Sequence, residues 1–396
     1  MPVEAPASPP ARPIDPAAVP LSIYVHLPWC VRKCPYCDFN SHRAPDALPE
    51  AAYIRALTAD MDSEAGACAG RPIRSIFIGG GTPSLFSAQA IGDILDAIRA
   101  RFTLAPDCEI TLEANPGASE QARFAGFREA GVNRLSIGIQ SLDNGQLGRL
   151  GRIHDADAAR AAVIAARAAG FDNFNTDLMY ALPEQTPDQA AADLTALIAL
   201  GAPHVSYYQL TLEPGTAFFH RPPPLPGDDA QWAIHEQGAR LLTRAGFQQY
   251  EISAWARPGH ACRHNLNYWQ FGDYLGFGAG AHGKLTDSDG RVVRRARQPL
   301  PNRYQISAGT PGAIASERRL DADDLQFEYL LNALRLNGGF ALRDYEARTG
   351  LPGAPLLAQL RRYPDLVEID ERIRCTATGA LHLDDLLARL LPETAA

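Results

Sequence analysis

Three cysteines crowd into eight residues, Cys30-Val-Arg-Lys-Cys34-Pro-Tyr-Cys37. Thiolates spaced this closely in one loop can wrap a single metal centre. A 4Fe–4S cluster normally takes one thiolate per iron, so three cysteines leave one iron open to a small molecule. Two plainer chemistries use similar residues. A zinc knuckle pairs CxxC with a second CxxC or with spaced histidines, and His26 and His42 flank the loop without that spacing. A redox disulfide needs two cysteines, which leaves the third superfluous. The other four, Cys68, Cys108, Cys262 and Cys375, are scattered singly. An odd total of seven argues against a complete disulfide framework. It points to a reducing, cytoplasmic setting.

Further polar residues stand where apolar runs end. Gly79-Gly80-Gly81-Thr82-Pro83 closes one such run. Adjacent glycines permit positive φ and close backbone approach to a ligand, and the exposed N–H groups suit a charged group. A tight turn is the plain alternative. Glu113 ends Thr-Leu-Glu, Gln140 follows Leu-Ser-Ile-Gly-Ile, Arg152 lies twelve residues on, and Asp177 sits in Asn-Thr-Asp-Leu-Met. An arginine fork binds both oxygens of a carboxylate; taken singly, each of these residues is an ordinary solvated strand end. Tyr24 and Tyr36 flank the cysteines, where aromatics commonly pack. A second segment reads His264-Asn265-Leu-Asn-Tyr268-Trp269. Imidazole can ligate a metal, and aromatics can cover a flat ligand. The plain alternative is a satisfied loop histidine beside core aromatics. Cys262 is a weaker rival ligand, and His282, in Gly-Ala-Gly-Ala-His-Gly, reads as a structural loop residue.

The elements that must position these groups alternate between strand and helix from residue 21 to about 255. Strands are expected at Leu21–Leu27, Ile73–Ile78, Glu109–Glu113, Arg134–Ile139, Asn173–Met179 and His204–Leu210, with Tyr250–Ser253 closing the series. Helices are expected at Pro49–Ser63, Ala88–Arg101, Ser119–Ala130, Asp155–Ala169, Thr186–Ala199 and Ala230–Ala245. Such units imply parallel strands under covering helices. The expected class is therefore α/β, an incomplete (β/α) TIM-type barrel whose function sits at the strand C-termini. An open doubly wound sheet is the alternative, but no GxGxxG follows a strand with an acidic residue about 20 positions on. Residues 1–20 read as a disordered Pro/Ala leader, 21–255 as the barrel core and 256–310 as a connecting segment. Residues 311–396 read as a small winged-helix-like α+β domain of helices and a hairpin. A net charge of −8 and the lack of a basic stripe exclude a nucleic-acid surface. No apolar run approaches the ~18–20 residues of a membrane span.

The cysteine motif resembles the CxxxCxxC of the radical S-adenosylmethionine (SAM) superfamily. The flanks Tyr24-Val-His26-Leu-Pro-Trp and Asp-Phe39-Asn-Ser-His42 narrow it. With Gly-Gly-Gly-Thr-Pro, the Asp177 strand and HNxxYW, they resemble the HemW haem-chaperone family, relatives of the oxygen-independent coproporphyrinogen III oxidase. The resemblance spans about residues 20–390 and implies a radical SAM barrel. It implies a 4Fe–4S cluster on Cys30, Cys34 and Cys37, with SAM chelating the open iron. Tyr24, Tyr36, Gly80, Gly81, Thr82, Glu113, Gln140, Arg152 and Asp177 are then expected around SAM, and His264, Tyr268 and Trp269 around haem. No catalytic residue is expected. The implied partners are haem and acceptor haem proteins such as respiratory enzymes, with a cluster-linked homodimer and no nucleic acid. The alternative is a radical SAM enzyme of the oxidase type. That enzyme carries a further cysteine two residues after the triplet, where this chain has Phe39; the difference favours the chaperone branch.

Overall fold

The computed structural model describes residues 12–68 and 70–391. Twelve strands form one sheet. Their ranges are β1 (Leu21–Leu27), β2 (Ile73–Gly80), β3 (Leu104–Ala114), β4 (Arg134–Gln140), β5 (Phe174–Tyr180), β6 (His204–Gln209), β7 (Gln248–Gln249), β8 (Ala254–Ala256), β9 (Asp273–Phe277), β10 (His282–Thr286), β11 (Val292–Arg297) and β12 (Ile314–Arg319). The spatial order is β12-β11-β10-β9-β1-β2-β3-β4-β5-β6-β8-β7, so both edges stay open. From β9 through β1 to β6 every pairing is parallel. The flanking strands on both sides are antiparallel.

Helices α1 (Glu50–Glu64), α2 (Ala88–Arg99), α3 (Phe124–Ala130), α4 (Ala156–Ala168) and α5 (Pro187–Ala199) link the parallel strands, and α6 (Asp228–Arg244) leads from β6 to the antiparallel β7 and β8. Their starts are chemically marked. Ser87 and Asp155 accept from backbone N–H groups three residues on, and Thr186 with Gln189 forms a capping box. With helices covering one face, β4 is buried at every position. The expected incomplete barrel is present.

Several boundaries differ from expectation. Ser119–Ala130 is two helices, Ala118–Gln121 and α3; between them Arg123 donates to the carbonyls of Ser84 and Leu85. Tyr250–Ser253 is not a strand: β7 and β8 flank it as a short hairpin. Of the supposed disordered leader, residues 1–11 lie outside the described residues. Residues 12–20 are packed, with Ile14 and Val19 buried against the C-terminal core. The supposed connector 256–310 holds three strands of the main sheet, and β9 fills the position beside β1. His282 opens β10 instead of lying in a loop.

Buried charges hold this extension in place. Arg297 on β11 bonds both Asp60 and Glu64 of α1. Asp273 on β9 accepts from Arg71, Lys284 and Thr286. After β12 come α8 (Ala322–Ala333), α9 (Leu342–Thr349), α10 (Gly353–Leu360), a hairpin Val367–Ile369/Ile373–Cys375 and α11 (Leu383–Leu390). They enclose a second core around Tyr329, Leu356 and Leu386. Between the barrel and this domain, Arg263–Trp269 forms α7.

Candidate functional site

The cysteine loop leaves the C-terminal end of β1. A two-residue ladder closes its base, pairing Trp29 with His42 and Cys30 with Arg43. Cys30, Cys34 and Cys37 are half-buried free thiols that line one cavity of about 380 Å³ at the barrel mouth. Each sulfur has its own polar neighbour. The Thr82 hydroxyl donates to Cys30 Sγ at 3.4 Å, Arg152 Nη1 to Cys34 Sγ at 3.6 Å, and Ser41 Oγ lies 3.9 Å from Cys37 Sγ. Thiolates hold an iron–sulfur centre, and donors to their sulfurs tune it. Among the described residues, no three His, Cys, Asp or Glu side chains close on a single ion.

The glycine turn packs directly on this loop. A Cβ on Gly81 would lie 2.6 Å from the Trp29 carbonyl oxygen, so only glycine lets the two backbones meet. Gly80 has φ of 119°, and its N–H donates to Glu113 Oε2 at 3.0 Å. Burial pushes the Glu113 carboxyl up to about 7, against the pull of that N–H. Burial also raises Asp177, which accepts from Asn175 at 2.7 Å. Arg152 bridges Asn115 Oδ1 at 2.6 Å and the Gly138 carbonyl at 2.8 Å. Its Nε, and that of wholly buried Arg134, have no hydrogen-bond partner among the described residues. Gln140 ends β4 at φ of 70° and accepts from the Tyr208 hydroxyl at 2.6 Å. A non-glycine residue held there marks a site where backbone strain is tolerated.

Of the residues expected around SAM, Tyr36, Gly80, Gly81, Thr82, Glu113, Gln140, Arg152 and Asp177 all line this cavity. Tyr24 does not. It lies beneath the wall, bonded to His26 Nδ1 at 2.8 Å and stacked on Phe77, which does line it. The wall also contains residues that sequence reasoning missed, among them Asn115, Arg134, Ser136, Asn175, His204, Ser206 and Tyr208. A signal for them existed. Arg134, Ser136, Gly138 and Gln140 alternate along β4, Asn175 and Asp177 along β5, and His204, Ser206 and Tyr208 along β6, as one face of a strand requires.

The HNxxYW segment is split by its helix. Asn265 faces the main cavity, while Tyr268 and Trp269 line a separate space of about 130 Å³ with Lys284 and Arg294. His264 is buried. Its Nδ1 pairs with Ser75 Oγ at 2.9 Å and its Nε2 with the Tyr268 hydroxyl at 2.9 Å. Burial lowers its pKa to about 3, so the ring is neutral. While those bonds hold, neither nitrogen is open to iron. Cys262 is also enclosed, its thiol pushed up to about 12 by burial.

The Radical SAM superfamily model matches residues 24–197 and the HemN C-terminal domain model matches 320–382. The solved structure of coproporphyrinogen III oxidase (HemN) from Escherichia coli superposes with a TM-score of 0.80 at 26% identity. The match covers 94% of this chain and 90% of that one. Fold and site together thus define a radical SAM protein with a HemN-type C-terminal domain. Heme chaperone HemW of E. coli is 47% identical over 94% of this chain and 99% of its own. Heme chaperone HemW of Haemophilus influenzae is 46% identical over 96% and 100%. The chain belongs to the HemW family. Membership of the radical SAM superfamily implies a 4Fe–4S cluster and SAM. The residues present fit both: three thiols with sulfur donors, a glycine cradle, two half-buried carboxyls and, beside them, arginine N–H groups without a partner among the described residues. Among the described residues no helix is long and apolar enough to cross a membrane.

Proposed function

We propose that this protein is a haem chaperone of the cytoplasm. It binds haem and passes it to acceptor haem proteins, respiratory enzymes among them, and works as a cluster-linked homodimer. Cys30, Cys34 and Cys37 hold the cluster, and SAM occupies the cavity as an exchangeable ligand. One observation carries the reading. Relatives named heme chaperones match along nearly the whole chain at 46–47% identity, while the structure named as the oxidase matches at 26%.

The bound cluster and SAM would supply redox and iron-chelating chemistry at the barrel mouth. The chain's own residues do the placing. The Gly80–Gly81 backbone admits a ligand close to the cysteine loop. Glu113 and Asp177 accept hydroxyl or ammonium hydrogens, and the forks of Arg152 and Arg134 suit a carboxylate. Tyr36 and Phe77 wall the cavity beside the cysteine loop.

The test pairs two assays on protein reconstituted without oxygen. Haem is titrated and its transfer to an apo-haem protein followed by absorbance; in parallel, SAM and reductant are added and 5′-deoxyadenosine is measured. Haem binding and transfer without porphyrinogen turnover is the expected result. Rapid conversion of coproporphyrinogen, or no haem binding, overturns the proposal. Iron-free protein carrying stoichiometric zinc would refute the cluster as well.

A further inference from the structure

With both His264 nitrogens hydrogen-bonded, a haem would take its axial ligand elsewhere, and the strand-end face of the barrel offers an imidazole. β9 runs parallel to β1 and β10 returns antiparallel, so the first residue of β10, His282, lies at the end of the sheet where the cysteine loop leaves β1. His282 is exposed, and among the described residues its ring makes no hydrogen bond or ion pair.

The turn before it is fastened to the cysteine loop. Asn40 Nδ2 donates to the Ala279 carbonyl at 2.9 Å and the Pro299 carbonyl at 2.8 Å. A Cβ on Gly280 would stand 2.2 Å from that same nitrogen, so the turn can sit this close only as glycine. Burial lowers the His26 pKa, and the nearby His42 and His282 add smaller contributions in the same direction. His42 is less free, with Nε2 at 3.1 Å from Asn40 Oδ1.

Large apolar side chains edge the same junction. Phe39, next to Asn40, is 59% exposed; Leu300, next to Pro299, is 47% exposed. An exposed apolar side chain standing alone needs no explanation. Two of them on segments pinned together by one asparagine, beside a free imidazole, are a different matter. Arg43, following His42, is exposed and has no carboxylate partner among the described residues. A metal-binding imidazole, an apolar edge and an unpaired guanidinium are complementary to a flat, apolar, iron-bearing dicarboxylate.

We infer that haem seats at this junction on the rim of the barrel mouth, with His282 as its axial ligand, Phe39 and Leu300 against the macrocycle and Arg43 on a propionate. The inference rests on the haem-carrying reading above and assigns its seat. Phe39, the residue that separates this chain from the oxidase pattern, then has a positive role, and the haem lies beside the cysteine loop.

Haem titration of the full-length protein, followed by its Soret band, tests this. His282→Ala should weaken binding on the order of tenfold or more and move the Soret maximum. Added free imidazole should restore the wild-type spectrum. Phe39→Ser should weaken binding while leaving the maximum in place, because the ligand remains. Wild-type affinity and spectrum in His282→Ala would overturn the seat while leaving the chaperone reading intact. So would loss of the band in a folded His264→Ala but not in His282→Ala. Failure of the wild type itself to bind haem would instead refute the chaperone reading.

Discussion

Replacing Gly81 with alanine tests whether the glycine turn and the cysteine loop are one mechanical unit. The new Cβ would meet the Trp29 carbonyl oxygen at 2.6 Å and the Pro28 and Trp29 carbonyl carbons at 2.8 Å. Relief to an ordinary 3.4 Å requires a retreat of roughly 0.8 Å (3.4 minus 2.6). The obstacle is backbone, so no side chain can swing aside. Two hydrogen bonds lie in the path, Gly81 N–H to the Leu27 carbonyl and Thr82 N–H to the Trp29 carbonyl, both 2.8 Å. Overpacking of this kind costs typically ~1–3 kcal/mol. At ~2.1 cal/mol/K per residue of unfolding entropy, this 396-residue chain would lose roughly 1–4 °C in Tm. The functional effect should exceed the stability effect, because Trp29 immediately precedes Cys30 and the Thr82 hydroxyl that donates to Cys30 moves with the turn. The assay is iron and sulfide content after anaerobic reconstitution, alongside thermal unfolding. Gly148→Ala, where a Cβ meets nothing within 4 Å, is the control. Full iron content and an unchanged Tm in Gly81→Ala would refute the coupling.

Two further outcomes follow from buried charge. Glu113, raised to about 7 by burial, binds its proton more tightly folded than unfolded. Its ionisation therefore destabilises the cluster-free fold increasingly between pH about 4.5 and 7. Glu113→Gln should gain on wild type across that window, by on the order of 2–3 kcal/mol at its top, while binding SAM more weakly. A constant difference from pH 4 to 8 in denaturant melts would contradict this. Arg297→Met strips Asp60 of its guanidinium partner between α1 and β11, leaving it the Tyr304 hydroxyl, while Glu64 keeps Arg295. A loss of ~3–5 kcal/mol in chemical unfolding is expected; a loss below ~1 kcal/mol would show that water or other groups replace the guanidinium.

Much of this protein was legible in its residues. The six β/α units announced themselves because a parallel strand buried on both faces is a short apolar run, and its covering helix has a 3.6-residue period. The cysteine triplet, the glycine turn, Glu113, Arg152 and Asp177 were legible because spacing in the chain and position at strand ends are both local facts. Strands β9 to β11 were not. β9 (Asp-Tyr-Leu-Gly-Phe) is recognisable only by its partner β1, some 250 residues earlier. β11 (Val-Val-Arg-Arg-Ala-Arg) does not look like a core strand, since its buried Arg297 is tolerable only beside the carboxylates of α1. The ordered stretch from residue 12 to 20 was hidden for the same reason: Ile14 and Val19 are buried by a domain that begins 300 residues later.

HNxxYW shows the division most sharply. The residues by themselves determined that an imidazole, an amide and two aromatics travel together. Only the tertiary structure decided which way each faces. On α7, neighbouring residues point about 100° apart, so Asn265 turns to the barrel cavity while His264 turns into the core, where Ser75 and Tyr268 occupy both its nitrogens. Residue type sets which chemistry is available. Whether a nitrogen is open to a ligand depends on neighbours brought from elsewhere in the chain, and packing alone supplies those.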